Sequence, residues 1–183
     1  MSWYCDVAFG HPLHGPYHDD EYGFPLTDEA RLFERLCLEI FQAGLSWEIG
    51  LKTRAGMAWA FDGFDVDTVA AYRERDVARL LGDARIIRNR RKVAAIIDNA
   101  ARVREMRTSH EGFASWIDAH HPRALDDWVA LFRSTFAFTG GEIVREFLLS
   151  TGHIPGAHRP DCPTFARIAD LNPPWMRSGL GGS

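Results

Sequence analysis

Two pairs of metal-type ligands stand at opposite ends of the chain, Cys5 with His18 and His158 with Cys162. Thiolate and imidazole are what a structural zinc ion takes in a closed tetrahedron, and the short spacing of His158-Arg159-Pro160-Asp161-Cys162 suits chelation of one ion. The first pair needs a loop between its ligands. The half-sites lie much farther apart than those of a zinc finger, so an ion here would tie the termini together and close a domain. The competing reading is a set of free thiols among scattered imidazoles, since the chain also carries Cys37 and His11, His14, His110, His120, His121 and His153. Cys37 lies in an apolar helical run and reads as core.

A second group of residues has chemistry of another kind. On a helical wheel Glu39 falls beside Leu32, Leu36 and Ala43, at the edge of an apolar stripe. A carboxylate at a core margin can have a raised pKa or accept hydrogen bonds from a ligand's amino group; an interfacial glutamate reaching for water is the plainer alternative. Trp47 follows shortly after, and an indole beside a carboxylate suits a cationic, planar ligand. Aromatic residues also crowd the N-terminal segment, where Trp3, Tyr4, Phe9, Tyr17, Tyr22 and Phe24 are interleaved with His11, His14 and His18. These rings either line a base-stacking pocket or pack over helices. The run from Arg85 to Lys92 is the one basic concentration, able to contact phosphates or to lie as a solvated helix start. The segment Thr135 to Gly141, before a helix, resembles a hairpin whose backbone N–H groups could bind a phosphate, although Glu142 would repel one there.

The elements that must position these residues are helical almost throughout. Thr27 is the expected cap of a helix carrying Leu32, Phe33, Leu36, Cys37, Ile40 and Phe41, stopped by Gly44. Further helices are expected from Ser46, from Asp65, from about Asp76 to Leu81, from Arg90 to Met106, from Phe113 to Ala119, from Asp127 to Phe132 and from Glu142 to Thr151. No strand alternation competes, and the N-terminal segment reads as short of regular structure. The composition is that of a soluble globular chain, 46% hydrophobic and 25% charged, with 183 residues and enough length for one core. Residues 1–168 are expected to form a single helical domain and 169–183 a flexible tail. No signal peptide or spanning run is read, three cysteines make no disulfide framework, and a cytoplasmic location without membrane contact is the expectation. The net charge of −4 gives no global attraction to nucleic acid, so such binding would need a local patch.

Several segments in order carry a resemblance. They are Tyr17-His18-Asp19-Asp20-Glu21-Tyr22-Gly23, then Leu36-Cys37-Leu38-Glu39 through Gln42-Ala43-Gly44-Leu45-Ser46-Trp47, then Ile86-Ile87-Arg88-Asn89 with Lys92 and Asn99-Ala100, and the terminal His158 and Cys162. In these the chain resembles the 3-methyladenine DNA glycosylase I family, zinc-containing helix-hairpin-helix enzymes. The resemblance implies an all-α helix-hairpin-helix fold, with one structural zinc held by Cys5, His18, His158 and Cys162. It implies a monofunctional glycosylase of base excision repair that flips 3-methyladenine out of alkylated double-stranded DNA, hydrolyses its N-glycosidic bond and leaves the free base as product. By the same resemblance Glu39 accepts hydrogen bonds from the adenine edge, Trp47 stacks on the base and Tyr17 lines the pocket; a monomer is expected.

The chain departs from the family pattern at the active end. Val7 replaces a tryptophan, His14 a pocket tyrosine and Tyr22 a tryptophan, and those two pocket positions are kept as substrate-binding candidates. The hairpin reads Thr135-Phe136-Ala137-Phe138-Thr139-Gly140 without its basic residue; Glu142 follows in place of a small polar residue and Arg145 in place of an aromatic. The approach Ala124-Leu125-Asp126-Asp127 lacks the usual Ser/Thr character. These changes leave two alternatives open, a divergent member acting on another modified base or nucleoside, and a non-catalytic zinc-stabilised binding protein.

Overall fold

The computed structural model describes residues 4–178. Trp3 and residues 179–183 of the expected tail lie outside them. Within the described residues the chain forms α-helices joined by short connections, with no strand. In order these are α1 (Tyr4–Ala8), α2 (His14–Asp20), α3 (Glu29–Gln42), α4 (Trp47–Ala60), α5 (Val66–Ala70), α6 (Glu74–Gly82), α7 (Arg90–His110), α8 (Phe113–His120), α9 (Leu125–Thr135), α10 (Gly141–Ser150), α11 (Pro163–Asp170) and α12 (Pro174–Arg177).

Helix α3 runs through the centre, and its buried face includes Leu32, Phe33, Leu36, Cys37, Ile40 and Phe41. Helices α4, α7, α8 and α10 pack around it. Its cap is Asp28 rather than Thr27: the Asp28 carboxylate accepts from the Arg31 N–H at 2.9 Å. A carboxylate is the stronger acceptor at a helix N-terminus, where it also meets the macrodipole, so it sets the start one residue later. Ser46, Asp65 and Asn89 cap α4, α5 and α7 in the same way. Helix α7 outruns the expected stop at Met106 and ends at Glu111, which takes a left-handed φ of 65°. The rings of Phe113, Phe132, Phe136 and Phe147 interlock where α8, α9 and α10 meet.

The ends of the chain carry more helix than periodicity indicates. Helices α1 and α2 occupy the N-terminal segment expected to lack regular structure, and α11 and α12 lie beyond the last expected helix. None exceeds eight residues, too short for an apolar period to show, and they are held by contact instead. The expected flexible tail is folded in its first part, with Pro174 buried and the Trp175 N–H donating to the Gly152 carbonyl at 3.3 Å. Where the two ends meet, Gly23 has φ +86° and its N–H donates to the Ser150 carbonyl at 3.0 Å. A Cβ there would lie 2.8 Å from the Ala157 Cβ, so only glycine lets α2 and the segment before α11 approach this closely.

Candidate active site and metal centre

Cys5 on α1, His18 on α2, and His158 and Cys162 before α11 converge in one buried cluster whose ligand atoms all lie within 4.8 Å of one another. The Sγ atoms of Cys5 and Cys162 each lie 3.7 Å from His158 Nδ1, and Cys162 Sγ lies 3.8 Å from His18 Nε2. Sulfur at about 2.3 Å and nitrogen at about 2.0 Å from a tetrahedral zinc ion would stand roughly 3.6 Å apart. The donor set therefore fits such an ion. Each imidazole has its outer nitrogen engaged: His158 Nε2 donates to the Tyr22 carbonyl at 2.6 Å, and His18 Nδ1 lies 2.7 Å from Asp19 Oδ1. Such contacts orient ligating imidazoles. Burial holds His158 below its ordinary pKa, which keeps it neutral and free to ligate. The cluster could hold a metal ion and does join the two ends of the chain.

The Tyr22 carbonyl leads from this cluster to a cavity of about 470 Å³, whose walls include Tyr4, Tyr17, Tyr22, Glu39, Gln42, Trp47, Glu142, Arg145 and Glu146. Glu39 and Gln42 come from the end of α3, Trp47 begins α4 under its Ser46 cap, and Glu142, Arg145 and Glu146 come from α10. Glu39 is only 3% exposed and accepts from Gln42 Nε2 at 3.1 Å. Burial, reinforced by the charge of Glu146, pushes its carboxyl up to about 8, against the opposing effects of the Gln42 hydrogen bond and the Arg35 guanidinium. The edge position read from the helical wheel is thus a fully covered one.

Tyr17 and Trp47 meet at a tilt of 54° with ring centroids 5.1 Å apart. Behind Tyr17 stands the Arg35 guanidinium, 5.0 Å from the ring centroid, donating to the Ser150 carbonyl at 3.0 Å and paired with Glu21 at 3.2 Å. Arg54 grips both Glu21 oxygens at 2.7 and 2.8 Å and reaches Glu34 as well. This network fixes the ring, while the buried Tyr17 hydroxyl has no hydrogen-bond partner among the described residues. Tyr22 donates its hydroxyl to Glu146 Oε2 at 3.1 Å, and Arg145 pairs with the other Glu146 oxygen at 2.7 Å.

Of the residues expected to form the pocket, Glu39, Trp47, Tyr17 and Tyr22 meet in this cavity. His14 does not line it. Its Nδ1 lies 3.0 Å from the Tyr4 hydroxyl, so it bears on the cavity through Tyr4. Tyr4, one of the N-terminal rings read as either pocket or packing, is a wall residue, whereas sequence reasoning misses Gln42 and Glu146 as walls and Arg35 as the support behind Tyr17. Arg35 has a legible signal, a charge four residues before Glu39 on the apolar face of α3.

The basic run divides. Arg85 pairs with Asp83 at 2.7 Å and its guanidinium lies 3.7 Å from the Trp59 ring centroid; Arg90 pairs with Glu74 at 3.0 Å. Lys92 is buried at the end of α3, so it is not a phosphate contact. Arg88 and Arg91 remain exposed. The connection between α9 and α10 is pinned by Asn99 on α7, whose amide donates to the Ala137 carbonyl at 3.1 Å while its oxygen accepts from the Ala137 N–H at 2.7 Å.

A methyladenine glycosylase family model matches residues 7–126. Over 113 residues the chain is 48% identical to the DNA-3-methyladenine glycosylase 1 of Escherichia coli, an alignment covering 62% of this chain and 60% of that protein. It is 32% identical to the DNA-3-methyladenine glycosylase of Haemophilus influenzae, covering 89% of this chain and 98% of the relative. A solved structure of 3-methyladenine DNA glycosylase I from Staphylococcus aureus, described as the basis of its 3-methyladenine recognition, superposes with a TM-score of 0.79 at 29% identity, covering 89% of this chain and 97% of the other.

Proposed function

The chain belongs to the methyladenine glycosylase family, and from that premise we propose that it is a base excision repair glycosylase hydrolysing the N-glycosidic bond of 3-methyladenine in alkylated double-stranded DNA. The observation that carries this reading is the meeting of the buried Glu39 with Trp47 and Tyr17 in one cavity. A base methylated at N3 is cationic while attached to the sugar and is already a good leaving group. The protein must then extrude the nucleotide, hold the base and keep it oriented, with little acid catalysis required. Trp47 and Tyr17 supply aromatic faces for the cation, and Glu39 accepts from the exocyclic amino group. Water adds to C1′ as the C1′–N9 bond breaks, the bonding pair leaves with the base as neutral 3-methyladenine, and the water's surplus proton passes to solvent. Tyr22 shapes the far wall, and His14 acts through Tyr4.

We further read the cysteine and histidine cluster as one structural zinc per chain, a clamp on the termini with no part in the chemistry. The α9-turn-α10 unit is read as the helix-hairpin-helix that meets the DNA backbone, and the protein as a cytoplasmic monomer. Among the described residues no helix is long and apolar enough to cross a membrane. The test is chromatographic detection of bases released from methylated DNA, with Glu39→Gln and Trp47→Ala alongside. Release of 3-methyladenine that falls at least tenfold in both variants is expected. No release from folded, metal-loaded protein would replace this reading with action on another modified base or nucleoside, or with a binding role.

A further inference from the structure

Lys92 belongs with Ile86-Ile87-Arg88-Asn89 among the segments that carry the family resemblance, yet the proposed reaction assigns it no part. Its side chain is 6% exposed, and its ammonium donates to two backbone carbonyls, Phe41 at 2.8 Å and Ala43 at 2.7 Å. These carbonyls stand at the C-terminus of α3, where the chain leaves the helix and no further turn can satisfy them. A cation is the best partner for that end of a helix, and a buried ammonium is retained only where acceptors offset its desolvation. The segment so held is the one between Glu39 and Trp47: Gln42, a cavity wall residue, and the Ala43-Gly44-Leu45-Ser46 connection into α4. The same ammonium lies 5.7 Å from the ring centroid of Phe138 in the α9–α10 connection. Two turns further along α7, Asn99 grips that connection at Ala137 through both the nitrogen and the oxygen of its side-chain amide.

We infer that Lys92 is a positioning residue that registers the α9–α10 turn against the cavity rim. Helix α7 thus lays one face across two loops, with Lys92 touching both and Asn99 securing the second. The inference rests on the proposed reading, in which the α9–α10 turn meets DNA and the cavity takes the base. A base extruded from a duplex gripped by the turn must arrive over Trp47, so a turn free to shift relative to α3 lowers the rate of the bound complex. Free base reaches the cavity without the turn and is bound by Glu39, Trp47 and Tyr17, which have their own supports.

The variant to compare with the full-length, metal-loaded wild type is Lys92→Met, with Lys92→Arg as the conservative replacement. Single-turnover release from methylated DNA, DNA affinity, and the affinity for free 3-methyladenine by intrinsic tryptophan fluorescence are measured for each. Lys92→Met is expected to lose at least tenfold in single-turnover rate, while both affinities stay within threefold of wild type. Lys92→Arg, keeping a cation and several donors at the same carbonyls, is expected to recover most of the rate. Should Lys92→Met not fold, Lys92→Gln, with an amide one atom shorter, is expected to show the same separation of rate from affinity. A rate unchanged in the apolar variant, free-base affinity falling in step with the rate, or an arginine variant as slow as the methionine variant would overturn the inference. Absence of release by the wild type would instead overturn the reading on which it rests.

Discussion

Replacing Glu39 by glutamine is expected to stabilise the fold at neutral pH while removing the function proposed for the residue. The carboxyl is buried and pushed from an ordinary value near 4.5 up to about 8, first by desolvation and then by Glu146. Between these values the unfolded chain ionises Glu39 and the folded chain keeps it protonated. The folded state therefore holds one more proton, and stability falls by about 1.4 kcal/mol per pH unit as pH rises. The full advantage of the protonated site is present below 4.5 and is lost by the time pH passes about 8. Glutamine cannot titrate, and its side-chain oxygen can still accept from Gln42 Nε2. The stability of Glu39→Gln relative to wild type should thus rise by about 3 kcal/mol between pH 5 and pH 7 and level off above pH 8. Urea unfolding followed by tryptophan fluorescence, run on both proteins across this range, measures the gap directly. Other titrating groups are common to both proteins and cancel in the difference. Parallel stability profiles would refute the reasoning, because they would mean that Glu39 ionises alike in the folded and unfolded chains. A functional carboxylate that costs stability is the expected trade-off at a binding site.

Metal analysis of the purified protein is expected to find about one zinc per chain, and Cys162→Ala to lose it together with the order of α1, α2 and α11, followed by loss of helicity and protease resistance; a metal-free protein as stable as the loaded one would remove the clamp. Reversing Arg88 and Arg91 to glutamate is expected to make the logarithmic salt dependence of DNA binding shallower by about two, one for each phosphate no longer neutralised, measured by titration at several salt concentrations. An unchanged slope would make both arginines a solvated face.

The helical architecture is legible in the sequence wherever an element is long enough to show its period. Helices α3, α7 and α10 each bury a face that repeats through several turns, so their existence follows from the apolar pattern, with shifts only at the caps. Helices α1, α2, α11 and α12 are not legible, because elements of four to eight residues are held by partners from the far end of the chain. The site divides in the same way. Cys5, His18, His158 and Cys162 stand out by residue type, but free thiols among scattered imidazoles read equally well until the fold brings the four ligand atoms within 4.8 Å of one another. The α10 wall cannot be placed, because nothing local tells which face of a helix meets a cavity; Glu142, Arg145 and Glu146 become wall residues only when α10 packs on α3. Lys92 escapes a sequence reading for a related reason. A basic run looks uniform in sequence, yet burial removes its last member from the surface while Asp83 and Glu74 take Arg85 and Arg90.

This division bears on how the protein could work on DNA at all while carrying a net charge of −4. Of the basic run, only Arg88 and Arg91 stay exposed without an acidic partner among the described residues, and Glu142 stands exposed in the first turn of α10, after the α9–α10 connection. In the proposed reading this run offers the phosphate backbone two charges, and discrimination falls to the cavity. There the charges are arranged in the opposite sense. Glu39, Glu142 and Glu146 line a space that also holds Arg145, whose charge is tied to Glu146. An arriving cationic base lowers the cost of ionising Glu39, because a neighbouring positive charge favours the carboxylate that burial and Glu146 disfavour. A neutral purine offers no such relief and meets a protonated Glu39 below about pH 8. On that reading the cavity responds to the charge that N3-methylation confers, so the base is selected there by its charge as well as by its shape.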